Sequence, residues 1–477
     1  MELNLNSFAA FPFKGALPSG TYLVGGAVRD ALLGRPPHDW DLVTANDFQG
    51  TARDLARELK AHLVPLGKPG QPLIRLVTAD TALDLTPLEG VTLEEDLQRR
   101  DFTINAMAWD LSRNRLADPL KGLQDLKAGI VRRVTPRAFP EDPVRMLRAY
   151  RLAAQLRFRI ESATEGQIRQ ASYQIQHSAG ERQRDELCKL LALPDSHGWV
   201  AAMAASGLLF NIFPELEATR HCGQGRYHDL KVWDHTLAAF RHLEQILADL
   251  PLLTAGRENP ASFLPQQNLA PPLLKLALLL HDMGKPPCRS RDTTGDIHFI
   301  GHERQGAGMA AHVCRRLRLS NAQSTGIIHL IQRHLDPLAL YQAQRQGTLR
   351  PRGITRFFNR NHPWVTELLL HALADQQGKK QAQAAGKSGF NRFVTHLHDL
   401  YRTDFLVRRN QQPLLTGRDL RDELGLVPGP VFKHILNRVE EARLSGEIQR
   451  RSEALELART LSAAAAGDRP PQEPTAT

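Results

Sequence analysis

The chain has 477 residues, of which 42% are hydrophobic and 23% charged, and its formal net charge is +10 at pH 7. The length suggests about two to four domains, and the composition excludes a wholly disordered, collagen-like or disulfide-dense protein. The excess of Lys and Arg favours a polyanionic partner, with nucleic acid as the first candidate and a general basic bias as the alternative.

No targeting or membrane signal stands out along the chain. The N-terminus lacks a basic segment followed by an apolar core, so we predict no signal peptide. The most apolar stretch, Leu273 to Leu280, is interrupted by Lys275 and is too short to span a bilayer. The four cysteines lie far apart and predict neither a disulfide framework nor a zinc knuckle. We therefore expect a cytoplasmic protein with no membrane partner.

Hydrophobic patterning divides the chain into an α/β part and a helical part. Up to about residue 135, short β-like runs (TYLVGG, DLVTA, HLVPL, LIRLV and ALDLT) alternate with helical stretches such as Phe48 to Ala61. From about Glu141 onward, long amphipathic helices dominate. The predicted fold class is therefore an α/β head, with a mixed sheet and helices, followed by a mostly α-helical remainder. The expected breaks, loops and disordered tail lie at 136–140, near Pro194, and at 251–272, 376–389 and 463–477.

A glycine pair and a group of acidic residues form the first candidate site. Gly25 and Gly26 end a predicted strand just before a predicted helix, where backbone N–H groups can approach a polyphosphate closely. Asp39 and Asp41 lead into the next strand, on which positions i and i+2 face the same side. Asp84 is expected to add a third carboxylate from a neighbouring strand. Such a cluster suits two-metal phosphoryl chemistry, whereas a tight turn and a solvated DxD are the alternatives for each motif alone.

Three longer motifs in sequence order carry a resemblance to a known family. They are GGAVRDALLG…HDWDLVT (Gly25 to Thr44), RRDFTINAMAWD (Arg99 to Asp110) and EDPVRMLRAYRLAAQL (Glu141 to Leu156). Together with GERQRDELCKLL (Gly180 to Leu191), they resemble the signature motifs of class II tRNA nucleotidyltransferases and bacterial poly(A) polymerases. The resemblance covers roughly the first 215 residues.

The resemblance implies roles for individual residues. Asp39 and Asp41 would bind the catalytic Mg²⁺ ions, with Asp84 as the third catalytic carboxylate. Asp142 and Arg145, three apart on a predicted helix, would imitate a template base, because a carboxylate accepts from the amino group of C or A while a guanidinium donates to the adjacent ring nitrogen. The alternative for this pair is a surface ion pair. The nucleotide-binding residues that the resemblance implies are Gly25, Gly26, Arg29, Arg100, Asp101, Asn105, Asp142, Arg145, Arg148 and Arg151.

The segment between Asp84 and Arg99 departs from the family pattern. Family members that complete the CCA end usually carry a flexible loop here, which helps to convert specificity from CTP to ATP. An arginine is common where this chain has Leu88-Glu89. The shortened segment resembles that of variants that add only CC and leave the final A to a partner enzyme. The resemblance therefore implies CMP transfer and leaves AMP transfer open.

A second motif set lies in the helical part. His281 and Asp282, in HDMGK after an apolar helix, lie between His235 upstream and Asp375 downstream. This order resembles HD-superfamily phosphohydrolases, which implies that the four residues bind a divalent metal. Imidazole plus carboxylate suits Mn, Ni, Co, Fe or Zn better than calcium, and the alternative for each histidine alone is a buried structural residue. The histidines that match positions of a second ion in HD domains are His302 and His334.

The combined interpretation assigns a domain to each segment. The predicted domains are a nucleotidyltransferase head at 1–140, a helical neck and body at 141–215, an HD phosphohydrolase domain at 216–400, a helical tail at 401–462 and a disordered end at 463–477.

The expected reaction is template-independent transfer of CMP, with AMP left open, from CTP and ATP to the 3′ end of tRNA. The HD domain is expected to hydrolyse phosphate or 2′,3′-cyclic phosphate ends. The expected partners are tRNA, CTP and ATP, and the interpretation leaves open a homodimer and a separate A-adding enzyme. The alternatives are a bacterial poly(A) polymerase, a regulatory HD phosphohydrolase with a nucleotide-binding head, and a non-catalytic RNA-binding chaperone.

Overall fold

The computed structural model describes residues 19–37, 39–68, 70–225, 230–254, 268–379 and 384–467. The chain divides into two compact units, Met1–Pro214 and Glu215–Thr477. Within the described ranges, no helix combines the length and the apolar character that crossing a membrane requires.

The first unit is built on a seven-stranded mixed sheet. Its strands are β1 (Thr21–Val24), β2 (Trp40–Thr44), β3 (His62–Lys68), β4 (Gln71–Val77), β5 (Ala82–Pro87), β6 (Ala108–Asp110) and β7 (Arg115–Ala117). They lie in the order β3-β4-β5-β2-β1-β6-β7, with β2 and β5 parallel and all other neighbours antiparallel. All five β-like runs of the sequence are strands, so this part of the α/β prediction is confirmed.

Helices pack against this sheet and continue after it. They are α1 (Gly26–Leu32), α2 (Phe48–Leu59), α3 (Leu93–Gln98), α4 (Gly122–Ala128), α5 (Ala138–Glu141), α6 (Val144–Leu156), α7 (Ser162–Ala171), α8 (Gly180–Leu191), α9 (His197–Ala205) and α10 (Leu208–Ile212). Two short strands, β8 (Ile130–Val131) and β9 (Arg159–Ile160), pair in parallel. Buried apolar residues of the sheet, such as Val24 and Val43, form a core with Leu97 of α3.

The prediction that Asp142 lies on a helix with Arg145 is wrong. Asp142 has φ −147° and ψ 91° and lies between α5 and α6, whereas Arg145 lies on α6. The physical reason is Pro143, because the ring of a proline disfavours helical backbone angles at the residue before it. The two side chains remain neighbours, with Nε of Arg145 3.8 Å from Oδ2 of Asp142.

The second unit is almost entirely helical. Its elements are a 3₁₀ helix (Pro214–Arg220), α11 (Val232–Thr254), α12 (Pro271–Leu280), β10 (Ser290–Arg291), β11 (Ile297–His298), α13 (His302–Arg316), α14 (Asn321–Arg333), α15 (Asp336–Arg345), α16 (Pro351–Asn361), α17 (Val365–Gln377), α18 (Ala384–Leu400), a π-helical segment (Tyr401–Phe405), α19 (Leu406–Arg409), α20 (Gly417–Leu424), α21 (Pro430–Ser445) and α22 (Arg451–Gly467). The last three helices enclose a core of their own, centred on Leu420, Ile435 and Ala454.

Three loop predictions in this unit are wrong at their edges. Helix α11 continues through Pro251 and ends at Thr254. Helix α17 ends at Gln377 and α18 begins at Ala384, so only part of the expected basic loop lies between them. Residues 463–467, expected to be disordered, end α22, since a run of alanines has high helix propensity. Residues 255–267, 380–383 and 468–477 of these segments lie outside the described residues.

Candidate functional site

The sheet of the first unit brings the predicted carboxylates together. Asp41 on β2 is the direct cross-strand partner of Asp84 on β5, and Asp39 immediately precedes β2 at an exposed position. Burial raises the pKa of Asp41; Arg100 opposes the shift, and the carboxylates of Asp84 and Asp39 add to it. Carboxylates that raise one another's proton affinity in this way form a hard oxygen ligand set that fits Mg²⁺.

A residue that the motifs did not identify, Arg75, holds the third carboxylate. Arg75 lies on β4 opposite Asp84, and its Nε and Nη2 each donate to one oxygen of Asp84, both at 2.7 Å. The guanidinium therefore supplies a counter-charge at one edge of the carboxylate cluster. Only the register of β4 against β5 creates this pair, which is why the local motif around Asp84 gives no sign of it.

Gly25 makes the close approach between the strand end and the carboxylates feasible. Its φ is +73°, which L side chains rarely adopt, and α1 begins at the next residue. A Cβ at Gly25 would lie 3.2 Å from Nη1 of Arg100 and 3.3 Å from Oδ2 of Asp41. The glycine is required here by both its conformation and its surroundings.

A cavity of about 610 Å³ opens beside these residues. It brings nine of the predicted residues together, while Asp39, Asp84, Arg29 and Arg151 do not line it. The predicted residues in its wall are Gly25, Gly26, Asp41, Arg100, Asp101, Asn105, Asp142, Arg145 and Arg148, and further lining residues include Thr86, Pro87, Glu89, Asp96 and Arg99.

A hydrogen-bonded network fixes the wall that carries Asp101. Burial alone would raise the pKa of Asp101, but Arg148, the Asn105 amide and the Phe102 backbone N–H together lower it. Nη1 of Arg148 lies 3.2 Å from Oδ2 of Asp101, and Nδ2 of Asn105 donates to Oδ1 at 3.0 Å. Arg29 acts behind this wall, where its Nη1 donates to Oδ1 of Asn105 at 2.6 Å. Arg29 therefore supports the cavity from outside.

The arginines of α6 are held by one buried carboxylate of α8, Glu186. Nε of Arg148 lies 3.2 Å from Oε1 of Glu186, and Nε of Arg151 lies 2.5 Å from Oε2. Glu186 is a partner that sequence reasoning missed, although it belongs to the quoted GERQRDELCKLL motif. Arg151 does not line the cavity, and its contact with Glu186 links α6 to α8.

The proposed base-selecting residues have unexpected partners. Arg182 of α8 donates from Nη1 and Nη2 to the two oxygens of Asp142, at 2.9 and 2.7 Å. Arg145 donates from Nη2 to the backbone carbonyl of Arg99 at 2.6 Å. Both side chains thus have fixed orientations at the cavity wall, and the residue that orients Asp142 is one that sequence reasoning did not single out.

The second unit brings all six predicted HD residues together. Oδ2 of Asp282 lies 3.2 Å from Nε2 of His281 and 3.8 Å from Nε2 of His235, and Oδ1 of Asp375 lies 2.8 Å from the same His235 nitrogen. The other oxygen of Asp282 faces a second group. The distances from Oδ1 of Asp282 are 3.5 Å to Nε2 of His302 and 3.9 Å to Nε2 of His334.

The histidine tautomers fit metal ligation. In His281, His302 and His334, Nδ1 lies 2.7 Å from the backbone carbonyl three residues earlier, so Nδ1 donates to that carbonyl and Nε2 faces the centre. Nε2 of His281 and Oδ1 of Asp282 are buried and make no hydrogen bond within the part of the chain that the structure describes. Burial lowers the pKa of His334 to about 3, so this imidazole is neutral at neutral pH. The donor set fits a borderline divalent metal.

A glycine and two lysines complete this centre. A Cβ at Gly284 would lie 2.1 Å from the carbonyl of His302, so only glycine lets the N-terminus of α13 approach the HD segment. Nζ of Lys285 lies 2.6 Å from Oδ2 of Asp282, and Nζ of Lys379 lies 3.2 Å from Oδ2 of Asp375. A cavity of about 410 Å³ opens onto the carboxylates and both lysines.

Three family models match the chain. The model for the poly A polymerase head domain matches residues 21–89 and 77–132, and the model for the probable RNA and SrmB-binding site of polymerase A matches residues 157–219. The model for the HD domain matches residues 232–376. The head model therefore covers the carboxylate cluster, and the HD model covers the six clustered histidines and aspartates of the second unit.

Similar proteins cover nearly the whole chain. The A-adding tRNA nucleotidyltransferase of Deinococcus radiodurans is 35% identical over 92% of this chain and 94% of its own length. The CC-adding tRNA nucleotidyltransferase of Thermus thermophilus is 33% identical over 93% of this chain and 94% of its own length.

Solved structures share the fold. A CCA-adding enzyme in complex with ATP has a TM-score of 0.62 at 21% identity and covers 95% of this chain and 91% of its own. The Thermotoga maritima CCA-adding enzyme complexed with tRNA has a TM-score of 0.59 at 22% identity and covers 93% and 91%. With identities above 30% to relatives that it covers almost completely, the chain belongs to the tRNA nucleotidyltransferase family, with a poly A polymerase-type head and an HD domain.

Proposed function

We propose that the head transfers CMP from CTP to the 3′-hydroxyl of tRNA that lacks its CCA end, releases pyrophosphate and stops after two additions. The observation that carries this proposal is the set of residues that line the cavity of about 610 Å³. It places Asp41 of the carboxylate cluster, arginines suited to a triphosphate, and the Asp142 and Arg145 side chains around one space.

The chain's own residues account for binding and base choice. Asp142 would accept from the exocyclic amino group of the base, while Arg145 would donate to the neighbouring ring nitrogen. UTP presents a carbonyl oxygen where CTP presents an amino group, so it would face the Asp142 carboxylate with an acceptor. Arg100 and Arg148 provide positive charge beside the space for the triphosphate.

Mg²⁺ is the proposed ion at the head, held by Asp39 and Asp41, with Asp84 as the third carboxylate. When bound, it would supply charge neutralisation at the triphosphate and lower the pKa of the 3′-hydroxyl. The guanidinium of Arg75 holds Asp84 at the edge of the cluster, which favours Asp39 and Asp41 as the direct ligands.

The fixed segment after β5 favours CC addition over full CCA addition. Arg99 pairs with Glu89 at 2.7 Å, and Arg100 pairs with Asp96 at 3.1 Å. Thr92 also forms a reciprocal capping box with Glu95 at the start of α3. A short connection held by these contacts leaves little length for a mobile loop that would switch specificity from CTP to ATP. A-only addition is the second candidate, favoured by the 35% identity to the Deinococcus radiodurans A-adding enzyme.

We propose that the HD domain is a metal-dependent phosphohydrolase acting on phosphate or 2′,3′-cyclic phosphate ends of RNA. Two ligand groups share Asp282, which supports two transition-metal ions chosen from Mn, Fe, Co, Ni or Zn. Such ions would supply an activated water and charge neutralisation at the phosphate. Lys285 and Lys379 line the cavity and provide positive charge for a phosphate.

Separate substitutions in the two units test whether nucleotide addition and phosphate-ester hydrolysis take place at different sites. Asp41→Ala should abolish nucleotide addition while hydrolysis of a 2′,3′-cyclic phosphate remains. His281→Ala should do the reverse. The measurement follows radiolabelled tRNA transcripts for addition and release of cyclic-phosphate ends for hydrolysis. Loss of both activities in either folded variant would contradict two independent sites.

A further inference from the structure

His371 is a buried histidine beside the HD centre that no motif identifies. It lies on α17, one turn before Asp375, and its side chain is 0% exposed. Its ring centre lies 5.1 Å from that of His281, with the rings at 80°, and 5.9 Å from that of His334. The imidazole therefore contacts one histidine from each of the two ligand groups.

The hydrogen bonding of His371 differs from that of its neighbours. His281, His302 and His334 each place Nδ1 on a backbone carbonyl. In His371, both Nδ1 and Nε2 are buried and form no hydrogen bond among the described residues. Two polar ring nitrogens therefore lie inside the protein without a partner among these residues.

Packing alone does not account for an imidazole at this position. A buried polar group without a partner is unfavourable, and an apolar side chain of similar size would fill the space without that cost. Imidazole nitrogen is, however, the ligand that borderline divalent metals prefer. The unpartnered nitrogens of His371 therefore point to a ligand that is shared with the surrounding histidines.

We propose that His371 is a further ligand of the HD metal centre, donating a nitrogen to the ion on the His334 side. This inference rests on the proposed metal centre of the HD domain. The group of His235, His281, Asp282 and Asp375 already offers four residues to one ion, whereas the second group offers Asp282, His302 and His334.

The distances between the imidazole rings allow His371 to be the fourth ligand of the ion that Asp282, His302 and His334 would hold. Because a metal–nitrogen bond is about 2.1 Å long, two imidazoles on one ion keep their ring centres within about 6 Å. The separations of His371 from His334 (5.9 Å) and from His281 (5.1 Å) both meet this limit, as does the 5.2 Å between His302 and His334. The smaller number of donors in the second group is therefore what favours that group for His371. A third imidazole would favour Fe, Co, Ni or Zn over Mg²⁺ at this position.

The test is Co²⁺ binding to the full chain carrying Asp39→Ala and Asp41→Ala, which removes the proposed head ligands. Co²⁺ is added to chelator-treated protein, and the number of bound ions, their Kd values and the visible d–d absorption are recorded. In this background, His371→Leu and His371→Gln should raise the Kd of one ion at least tenfold and change its spectrum. The Kd of the other ion should stay within about twofold.

Two controls distinguish the loss of a metal ligand from a change in packing. His329→Leu removes an imidazole that bonds Asn361 instead, and it should leave both Co²⁺ Kd values unchanged. In the absence of metal, His371→Leu should have a Tm equal to or above that of the parent, since it removes an unpartnered polar group.

Two ions bound to His371→Leu with the parental Kd values and spectrum would overturn the inference and leave the metal centre standing. A parent that binds no Co²⁺, or none that His281→Ala removes, would overturn the metal centre and the inference together. A parent that binds a single ion with the same Kd in His371→Leu would overturn the inference alone.

Discussion

The contact between Arg182 and Asp142 makes a quantitative prediction about base selection. Both Asp142 oxygens accept from Arg182, while the side chains are 21% and 48% exposed for Asp142 and Arg182. Solvent screening reduces the stabilising free energy of such an ion pair to about 1 kcal/mol. Since 1.4 kcal/mol corresponds to about a tenfold change, Arg182→Met should reduce the discrimination of CTP over UTP about fivefold.

The assay is steady-state CMP and UMP incorporation into a tRNA transcript without its CCA end, compared as kcat/KM. Arg182→Lys keeps the charge but loses the planar fork, so its discrimination should fall between those of the parent and Arg182→Met. Arg184→Met is the matched control on the same helix, because Arg184 pairs with the exposed Asp185. An unchanged CTP preference in Arg182→Met, together with a lost preference in Asp142→Ala, would refute the positioning role of Arg182.

Three further predictions follow from the two sites. Gly25→Ala introduces a side chain at φ +73° and ψ −142°, so it should cost about 1–3 kcal/mol of stability, measured by urea unfolding, and reduce CMP addition. Gly284→Ala places a Cβ against the His302 carbonyl, so it should cost about 1–3 kcal/mol and weaken Co²⁺ binding at the HD centre, measured by titration. The lowered pKa of Asp101 contributes stability above its unfolded pKa of about 3.9 that is lost as pH falls through its folded pKa. The pH dependence of unfolding in acid should therefore be flatter in Asp101→Asn, and an equal slope would contradict this.

Short-range sequence patterns predict the strands and the motifs that carry the candidate site residues. The run LDLT reads as a strand because its apolar residues alternate, and DLVT reads as one because it is a short run with adjacent apolar and β-branched residues. Both are strands, with Asp41 and Asp84 directly opposite each other. The order of His235, His281, Asp282 and Asp375, through its resemblance to HD proteins, likewise predicts one cluster, which the structure forms. In both cases the candidate site residues lie inside strong local patterns.

Partners that depend on register or helix docking could not be predicted. Arg75 meets Asp84 only because β4 pairs with β5 in one register, and Arg182 meets Asp142 only because α8 packs on α6. His371 lies in an ordinary helical segment, HALADQQG, and only the packing of α17 brings it beside His281. The position of Asp142 before α6 was, in contrast, available from the sequence, because a proline follows it.

CC addition is tested most directly with the purified full chain, Mg²⁺ and two tRNA transcripts, one without CCA and one already ending in CC. Each receives CTP alone, ATP alone or both, and the product lengths are read on a sequencing gel. We expect two CMP additions to the first transcript and no AMP addition to either. AMP addition to the transcript ending in CC would contradict CC-only specificity, and a long ladder with ATP alone would contradict the base selection assigned to Asp142 and Arg145.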